Sequence, residues 1–196
     1  MSRFLPLIAL AGAAAFFATS SEARDCASDA RSAMLDVRHP VPMLQHVETT
    51  MGEITMRSKT LSTPDNRGLV MDEAGTPMSL WIGGKFYTTA DKGETWKLLS
   101  ETSKEDQDKA METLRLQAEA ATNIACDYEA ELDGKPVHRF SLDYVLEMSG
   151  TPLHVEYWID AETGFPWRIR TVSPQNTIVQ DIEPAPDGMS IPDPEG

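Results

Sequence analysis

The chain has 196 residues and a formal net charge of −14, and 41% of its residues are hydrophobic. Phosphate backbones and anionic membrane surfaces bind clustered Lys and Arg, so this charge argues against nucleic acid and anionic membranes as partners. The length suits one ordinary domain and leaves no room for two.

The first 23 residues are predicted to be a signal peptide. Arg3 gives a positive start, Phe4 to Ala18 form an apolar run, and Ser21-Glu22-Ala23 is a small-x-small cleavage site. The run is too short and too rich in small residues for a good membrane-spanning helix, although an uncleaved anchor is the alternative. With cleavage after Ala23, the mature chain is expected to be secreted and not integral to the membrane.

Two cysteines remain after this cleavage, Cys26 and Cys126. In a chain addressed to an oxidising compartment, an intramolecular disulfide is the default interpretation. In the chain-entropy model a bridge across about 100 residues stabilises by up to roughly 4 to 5 kcal/mol. The alternative is a lipidated Cys26, which the charged residues Arg24 and Asp25 before it disfavour.

The first elements after the cysteine are a helix and several strands. Apolar residues at helical spacing predict a short helix from Ala27 to Val37 that stops at His39-Pro40. Met43 to Leu61 is rich in Thr, Met, Val and Ile, which suggests two strands bent near Met51-Gly52, with a helical start as the alternative. Turns on both sides of Leu69 to Asp72 predict a short edge strand.

A meander of hairpins is predicted next. Met78, Leu80 and Ile82 form one side of a strand and alternate with Ser79 and Trp81 on the other. Gly83-Gly84 makes a two-residue turn, and Lys85 to Thr89 returns. The stretch Thr89 to Trp96 is similar to the Asp-box of sialidase-type propellers, which shapes a hairpin turn. Because it occurs once, we interpret it as a stable turn before a strand over Thr95 to Leu99.

A long helix is predicted from Ser103 to Asn123. Ser103 with Asp106, or Thr102 with Glu105, forms a capping box, and Asn123 suits the C-terminal left-handed position. At about 30 Å, the helix matches an eight- or nine-residue strand and can lie across a sheet. Its narrow apolar stripe consists of Met111, Leu114, Ala118 and Ala121.

After a predicted hairpin turn at Asp133-Gly134, the second half of the chain alternates with period two. Strands are predicted over Val137 to Glu147, Leu153 to Asp160 and Phe165 to Ile169, each with one apolar side, and a last strand over Asn176 to Glu183. One-sided strands are typical of antiparallel sheets. The predicted fold class is therefore α+β, a curved antiparallel sheet covered by a long and a short helix. The domain spans residues 24–183, followed by an irregular Pro-rich acidic tail, residues 184–196.

The sequence offers little chemistry. It has no phosphate-binding Gly-rich loop, no nucleophile elbow and no favoured acid and base pair. His39, His46, His138 and His154 lack metal-ligand spacing, and the methionines suit core filling or an adaptable apolar lining better than copper binding. We therefore expect no enzymatic activity, no metal and no cofactor. An envelope enzyme ranks third among the hypotheses, after a binding protein and an interaction module.

The order of elements, with the segments Trp81 to Tyr87 and Tyr157 to Trp167 and with Trp96, resembles the LolA/LolB-like periplasmic superfamily. The resemblance implies an open half-barrel whose concave face is covered by helices, in the periplasm. It also implies a cavity for a lipid, a lipoprotein acyl chain or another apolar ligand of the cell envelope, and thus a role in lipid binding or lipoprotein transport.

One-sided strands would bring a set of apolar side chains together on the concave face. The alternative is that these side chains form a dry, filled core. The chain would then be an envelope interaction module without a ligand cavity, with an envelope protein as its partner. The candidate cavity-lining residues are Phe86, Trp96, Phe140, Tyr144, Val155, Tyr157, Trp167 and Ile169.

Overall fold

The computed structural model describes residues 24–35 and 40–194. The predicted signal peptide, residues 1–23, lies wholly outside these ranges. The predicted end of the first helix lies partly outside them, because His39 is not described and Pro40 is. Helix α1 spans Cys26–Leu35 and helix α2 spans Lys104–Glu119. The Ser103 side chain accepts a hydrogen bond from the Asp106 amide, so the predicted N-cap of the long helix is confirmed.

Helix α2 ends earlier than predicted. Its C-cap is Ala120, and Asn123 adopts the expected positive φ of 51° at an irregularity inside the next strand. The strands, in chain order, are β1 (Met43–Met51), β2 (Ile54–Ser62), β3 (Gly68–Asp72), β4 (Pro77–Ile82), β5 (Lys85–Thr88), β6 (Lys97–Glu101), β7 (Thr122–Leu132), β8 (Lys135–Leu146), β9 (Thr151–Asp160), β10 (Pro166–Val172) and β11 (Thr177–Pro184).

All eleven described strands join one sheet in the order β6-β5-β4-β3-β2-β1-β11-β10-β9-β8-β7. Each pairing is antiparallel, which confirms the predicted fold class of an open antiparallel sheet with two helices. The pairing of β1 with β11 joins the two halves of the chain. Strand β3 lies between β2 and β4, so its prediction as an edge strand is wrong.

The predicted turns are formed by residues with positive φ. Gly83 and Gly84 have φ of 57° and 86°, and Asp133 and Gly134 have φ of 52° and 76°, as two-residue hairpin turns require. In the Asp-box-like turn, Asp91 accepts hydrogen bonds from the backbone amide and the hydroxyl of Thr95 at 2.9 and 2.6 Å. The sequence-based interpretation of that stretch as a hairpin turn is confirmed.

The position of α2 requires the sheet to curve. The helix begins beside the β4–β5 turn, where the Thr102 amide donates to the Gly84 carbonyl, and it leads directly into β7. Strands β5 and β7 are nine strand spacings apart in the sheet, about 43 Å if it were flat. The helix spans about 24 Å. The sheet therefore curls around α2, and the face toward the helix is concave.

Strand registers assign each core residue to a face. Phe140, Tyr157 and Ile169 pair across neighbouring strands and pack with the helices, so they lie on the concave face. Leu61, Leu69 and Leu80 form a second cross-strand row. Residues paired across two strands share a face of the sheet, whereas residues an odd number of positions apart in one strand lie on opposite faces. When this rule is applied from β10 through β11 and β1 to β2, the second row lies on the opposite, convex face. The sheet thus carries a separate core on each face.

Candidate functional site

The centre of the concave face is filled. Ala30 and Met34 of α1 are 0% and 4% exposed and pack against β8 and β9. The disulfide between Cys26 and Cys126, with a Cα–Cα distance of 5.8 Å, joins the start of α1 to β7, as predicted. Beneath α1 the sheet contributes buried apolar side chains from β8 and β9: Phe140, Leu142, Val155 and Tyr157.

A cavity of about 290 Å³ remains between α2 and the strands β1, β2 and β4. Its sheet wall includes Trp81, whose ring lies so close over Gly68 that a Cβ there would approach a ring carbon to 1.8 Å. Because glycine leaves room for the indole, Trp81 can lie flat at the floor of the cavity. The apolar lining comes from both helices and the sheet: Leu35, Met43, Trp81, Met111 and Leu114.

Polar groups also line this cavity. The loop between β2 and β3 contributes Thr63, Asn66 and Arg67, and β1 contributes Gln45. Asn66 has a φ of 61° in this loop. The cavity thus combines apolar walls with a few polar groups. This combination is typical of sites that orient a mostly apolar ligand through a few polar contacts.

A second cavity, of about 480 Å³, lies beside α1 and carries a polar cluster. The Tyr128 hydroxyl donates to Asp29 Oδ2 at 2.7 Å, and burial followed by this bond raises the pKa of Tyr128 to about 12. Arg24 lies 3.1 Å from His138 Nε2 and 4.7 Å above the Tyr128 ring. Because arginine only donates, His138 Nε2 accepts and Nδ1–H donates to the Tyr128 carbonyl at 3.1 Å.

Five of the eight predicted lining residues lie together. Phe140, Val155 and Tyr157 are buried in the concave core, and Tyr144 and Ile169 pack against it. Burial raises the pKa of Tyr157 and of Tyr144. These side chains contribute to the filled centre, and Phe140 also borders the cavity beside α1.

The other three predicted residues lie elsewhere. Phe86 pairs with Trp81 and so shares the concave face, near the far edge of the sheet. Trp96 packs with the convex core, so its expected position on the concave face is wrong. Trp167 sits at a bulge of β10, where its Nε1–H donates to Asp160 Oδ2 at 3.0 Å and Lys135 Nζ lies 3.5 Å above its ring.

Sequence reasoning missed most of the residues that line the cavity under α2. Trp81 was placed opposite the apolar side of its strand, yet it forms part of the floor. Met111 and Leu114 were identified as the apolar stripe of the long helix and not as lining. The signal available in the sequence was Gly68, since a glycine inside a strand often marks the close approach of another group.

The concave face continues as an exposed apolar surface at the tip of the β1–β2 hairpin. Met51, Ile54 and Met56 share the concave face by register and are 38%, 63% and 49% exposed. Val47 lies between them and the filled centre.

Within residues 24–35 and 40–194, no group of three His, Cys, Asp or Glu side chains is arranged to hold a metal ion. In the same part of the chain neither helix combines the length and apolarity needed to span a bilayer.

Comparison with known proteins finds no matching family model and no matching curated protein. Among solved structures, the chain is similar to lipoprotein LppX of Mycobacterium tuberculosis, at 11% identity and a TM-score of 0.49 over 81% of this chain and 90% of that one. It is similar to LprF of Mycobacterium bovis, at 16% identity and a TM-score of 0.47 over 86% and 95%. A MucA/MucB complex of Pseudomonas aeruginosa matches at 11% and 0.49, over 83% of this chain and 59% of that one.

The chain folds as an open antiparallel half-barrel covered by helices. The open sheet of eleven described strands, curled around one long helix, is the architecture that the resemblance implied. The fold prediction is therefore confirmed by the strand order and by the position of α2.

Proposed function

We propose that this protein is a non-enzymatic binding protein of the periplasm that encloses the apolar part of a lipid or acyl chain between α2 and the sheet. The observation that carries the proposal is the cavity of about 290 Å³ with apolar walls from α1, α2 and the sheet. The predicted signal peptide and the disulfide support an oxidising compartment outside the cytoplasm.

The size of the cavity limits what it encloses at rest. Ligand pockets usually measure about 300 to 1,000 Å³, so the cavity suits part of one chain and not a whole diacyl lipid. Each methylene left in water costs about 0.8 kcal/mol, so a carrier must cover more of a long chain. Helix α2 can supply the space by moving outward, because Ala118 is its one buried residue and Met111 is half exposed.

Binding of a fluorescent fatty acid to the full-length protein tests this proposal. We expect Met111→Trp to fill the cavity and to weaken binding at least tenfold. Leu116→Trp is the matched control, because Leu116 is equally exposed on α2 but borders a different cavity with Tyr144 and Val145. Protein purified from its native envelope should also carry extractable lipid. No uptake and repeatedly lipid-free protein would overturn the proposal.

A second candidate function is supported by the filled centre of the concave face. Leu142 is 0% exposed and Val155 is 2% exposed beneath α1, as in a dry core. In that case the half-barrel is an interaction module for another envelope protein. Crosslinking to a specific envelope protein, together with unchanged fatty-acid binding in Met111→Trp, would favour this second function.

A further inference from the structure

The convex face carries an apolar surface that the proposed ligand site does not use. A row of paired leucines, Leu44, Leu61, Leu69 and Leu80, runs across β1 to β4 and continues to Tyr87 on β5. These side chains are 0% to 6% exposed. We call this surface the convex groove; its residues are Leu44, Leu61, Leu69, Met71, Leu80 and Tyr87.

The C-terminal tail covers this groove. Residues 185–194 contain no helix or strand, yet Ala185, Met189 and Ile191 pack onto the groove beside Trp96. The Ala185 amide donates to the Pro42 carbonyl at 2.9 Å, and Arg67 Nη2 donates to the Ile191 carbonyl at 3.4 Å. The tail turns at Gly188, where the Met189 amide donates to the Pro186 carbonyl at 3.2 Å, and it is held on the groove by apolar side chains and scattered backbone contacts.

The fit of the tail leaves a buried donor unsatisfied. Arg67 Nε is buried and finds no hydrogen-bond partner among the described residues, and the contact of the same guanidinium with Ile191 is long. A buried donor without an acceptor is unfavourable, and a guanidinium pairs best with a carboxylate, which it can bind through two parallel hydrogen bonds. An occupant with a carboxylate beside Ile191 would therefore fit better than the tail itself.

We propose that the convex groove is a docking site for an irregular segment of a partner protein, and that the tail occupies it as a built-in competitor. The partner segment carries apolar side chains at the spacing of Ala185, Met189 and Ile191 and a carboxylate within reach of Arg67. The groove lies on the face of the sheet opposite the cavity under α2. Arg67 is common to both sites, because it also borders that cavity.

The experiment uses the full-length protein and a fluorescein-labelled peptide with the tail sequence, residues 184–196. Met189→Asp/Ile191→Asp should release the tail, and we expect this variant to bind the peptide at least 30-fold more tightly than the unaltered protein. A tethered competitor acts at a local concentration on the order of mM, which masks the groove in the unaltered chain. Asp187→Asn/Ser190→Ala, at exposed tail positions, is the matched control and should bind as weakly as the unaltered protein.

The role of Arg67 is tested with a second peptide, which is the tail peptide with Glu in place of Pro192. It should bind the tail-released variant at least fivefold more tightly than the tail peptide, and Arg67→Gln added to that variant should remove this advantage. A folded tail-released variant that binds neither peptide more tightly than the unaltered protein would overturn the proposal. An advantage that persists in Arg67→Gln would overturn the carboxylate preference.

Hydrogen exchange of the unaltered protein gives a test that needs no variant. If the tail is displaceable, the Ala185 amide exchanges through a local opening that is insensitive to low denaturant concentrations, while the Leu61 and Leu80 amides exchange through global unfolding. If Ala185 exchanges together with Leu61 and Leu80, the tail is a fixed part of the core and the proposal is wrong.

Discussion

Glu156 is the buried charged residue of the described chain, at 5% exposure on the convex side of β9. Its two carboxylate oxygens bind Arg139 and Arg170 from the neighbouring strands. Burial alone would raise the pKa of Glu156, but hydrogen bonds from Arg139 and Arg170 lower it below its ordinary value. The carboxylate therefore stays ionised and joins three strands through one side chain.

We expect Glu156→Gln to lower the free energy of unfolding by about 1 to 3 kcal/mol at pH 7. The loss stays below that of a fully buried pair because both arginines are over 40% exposed and can be rehydrated. Urea denaturation measures it. Glu48→Gln is the control, since Glu48 pairs with Arg57 at the surface and should contribute less than about 1 kcal/mol. Equal losses in both variants would contradict this account.

Asp160 links the β9–β10 turn to Trp167. Its Oδ2 accepts from Trp167 Nε1, and its Oδ1 accepts from the Thr163 amide at 2.8 Å. The Trp167 bond, and then the Thr163 amide, lower the pKa of Asp160 from 3.8 to about 2. Because the folded pKa is the lower one, the stabilising contribution is complete above pH 3.8. It is lost as the pH falls toward 2.

The prediction for Asp160 is a pH-dependent difference between two proteins. At pH 7, Asp160→Asn should have a lower melting temperature than the unaltered protein, because the charged acceptor is lost. Between pH 3.8 and about 2 the two melting temperatures should converge. Trp167 fluorescence should change over the same interval in the unaltered protein alone. A melting-temperature difference that persists at pH 2 would show that the charge of Asp160 is not responsible.

At the scale of elements, α1 depends on its disulfide. The helix has ten residues, too few for independent stability in water, and two of them are buried. Besides the Cys26–Cys126 bond, the Tyr128 hydroxyl binds Asp29, and Arg31 Nε donates to the Ala118 carbonyl of α2 at 3.0 Å. The bridge thus fixes α1 where it fills the centre of the concave face.

Cys26→Ser/Cys126→Ser should lower the free energy of unfolding by about 2 to 4 kcal/mol, because the bridge closes a loop of 100 residues. Hydrogen exchange should show the largest loss of protection in α1 and at the adjoining part of β7. Reduction of the unaltered protein is the control and should reproduce the effect. Loss of protection spread evenly over all strands would contradict a local role for the bridge.

The sequence predicted the elements better than their arrangement. Turns such as Gly83-Gly84 and Asp133-Gly134 have residue preferences set by local backbone sterics, so they could be predicted. Period-two alternation shows that a strand has an apolar side, but it does not say which face of the sheet that side joins. Trp96 and Phe140 illustrate the difference, since both were expected on the concave face, yet Trp96 packs with the convex core.

The candidate site could be predicted only in part for the same reason. Phe140 and Tyr157 lie in adjacent strands joined by a short turn, so their proximity follows from the local sequence. Met43 and Met111 come together because β1 pairs with β11 and α2 crosses the curled sheet. Such long-range pairings are set by packing between distant segments, which no local pattern records.

For the whole molecule, the decisive feature is that one continuous sheet carries both cores. Strands β1 and β11 pair over eight residues, from Met43 opposite Pro184 to Thr50 opposite Thr177. This ladder joins β1–β6, which carry the convex core, to β7–β11, which carry the concave core. Because breaking the β1–β11 pairing would expose the backbone of both halves, we expect the two cores to unfold together.

Leucine truncation in each core tests this coupling. Leu80→Ala and Leu142→Ala each remove a side chain that is 0% exposed, one in each core, and each should cost about 2 to 5 kcal/mol. If the sheet is one cooperative unit, each variant shows a single urea transition with an unchanged m-value, and fluorescence and circular dichroism report the same midpoint. Two separate transitions in either variant would show instead that the halves unfold independently. The β1–β11 ladder would then be a docking contact between two folding units.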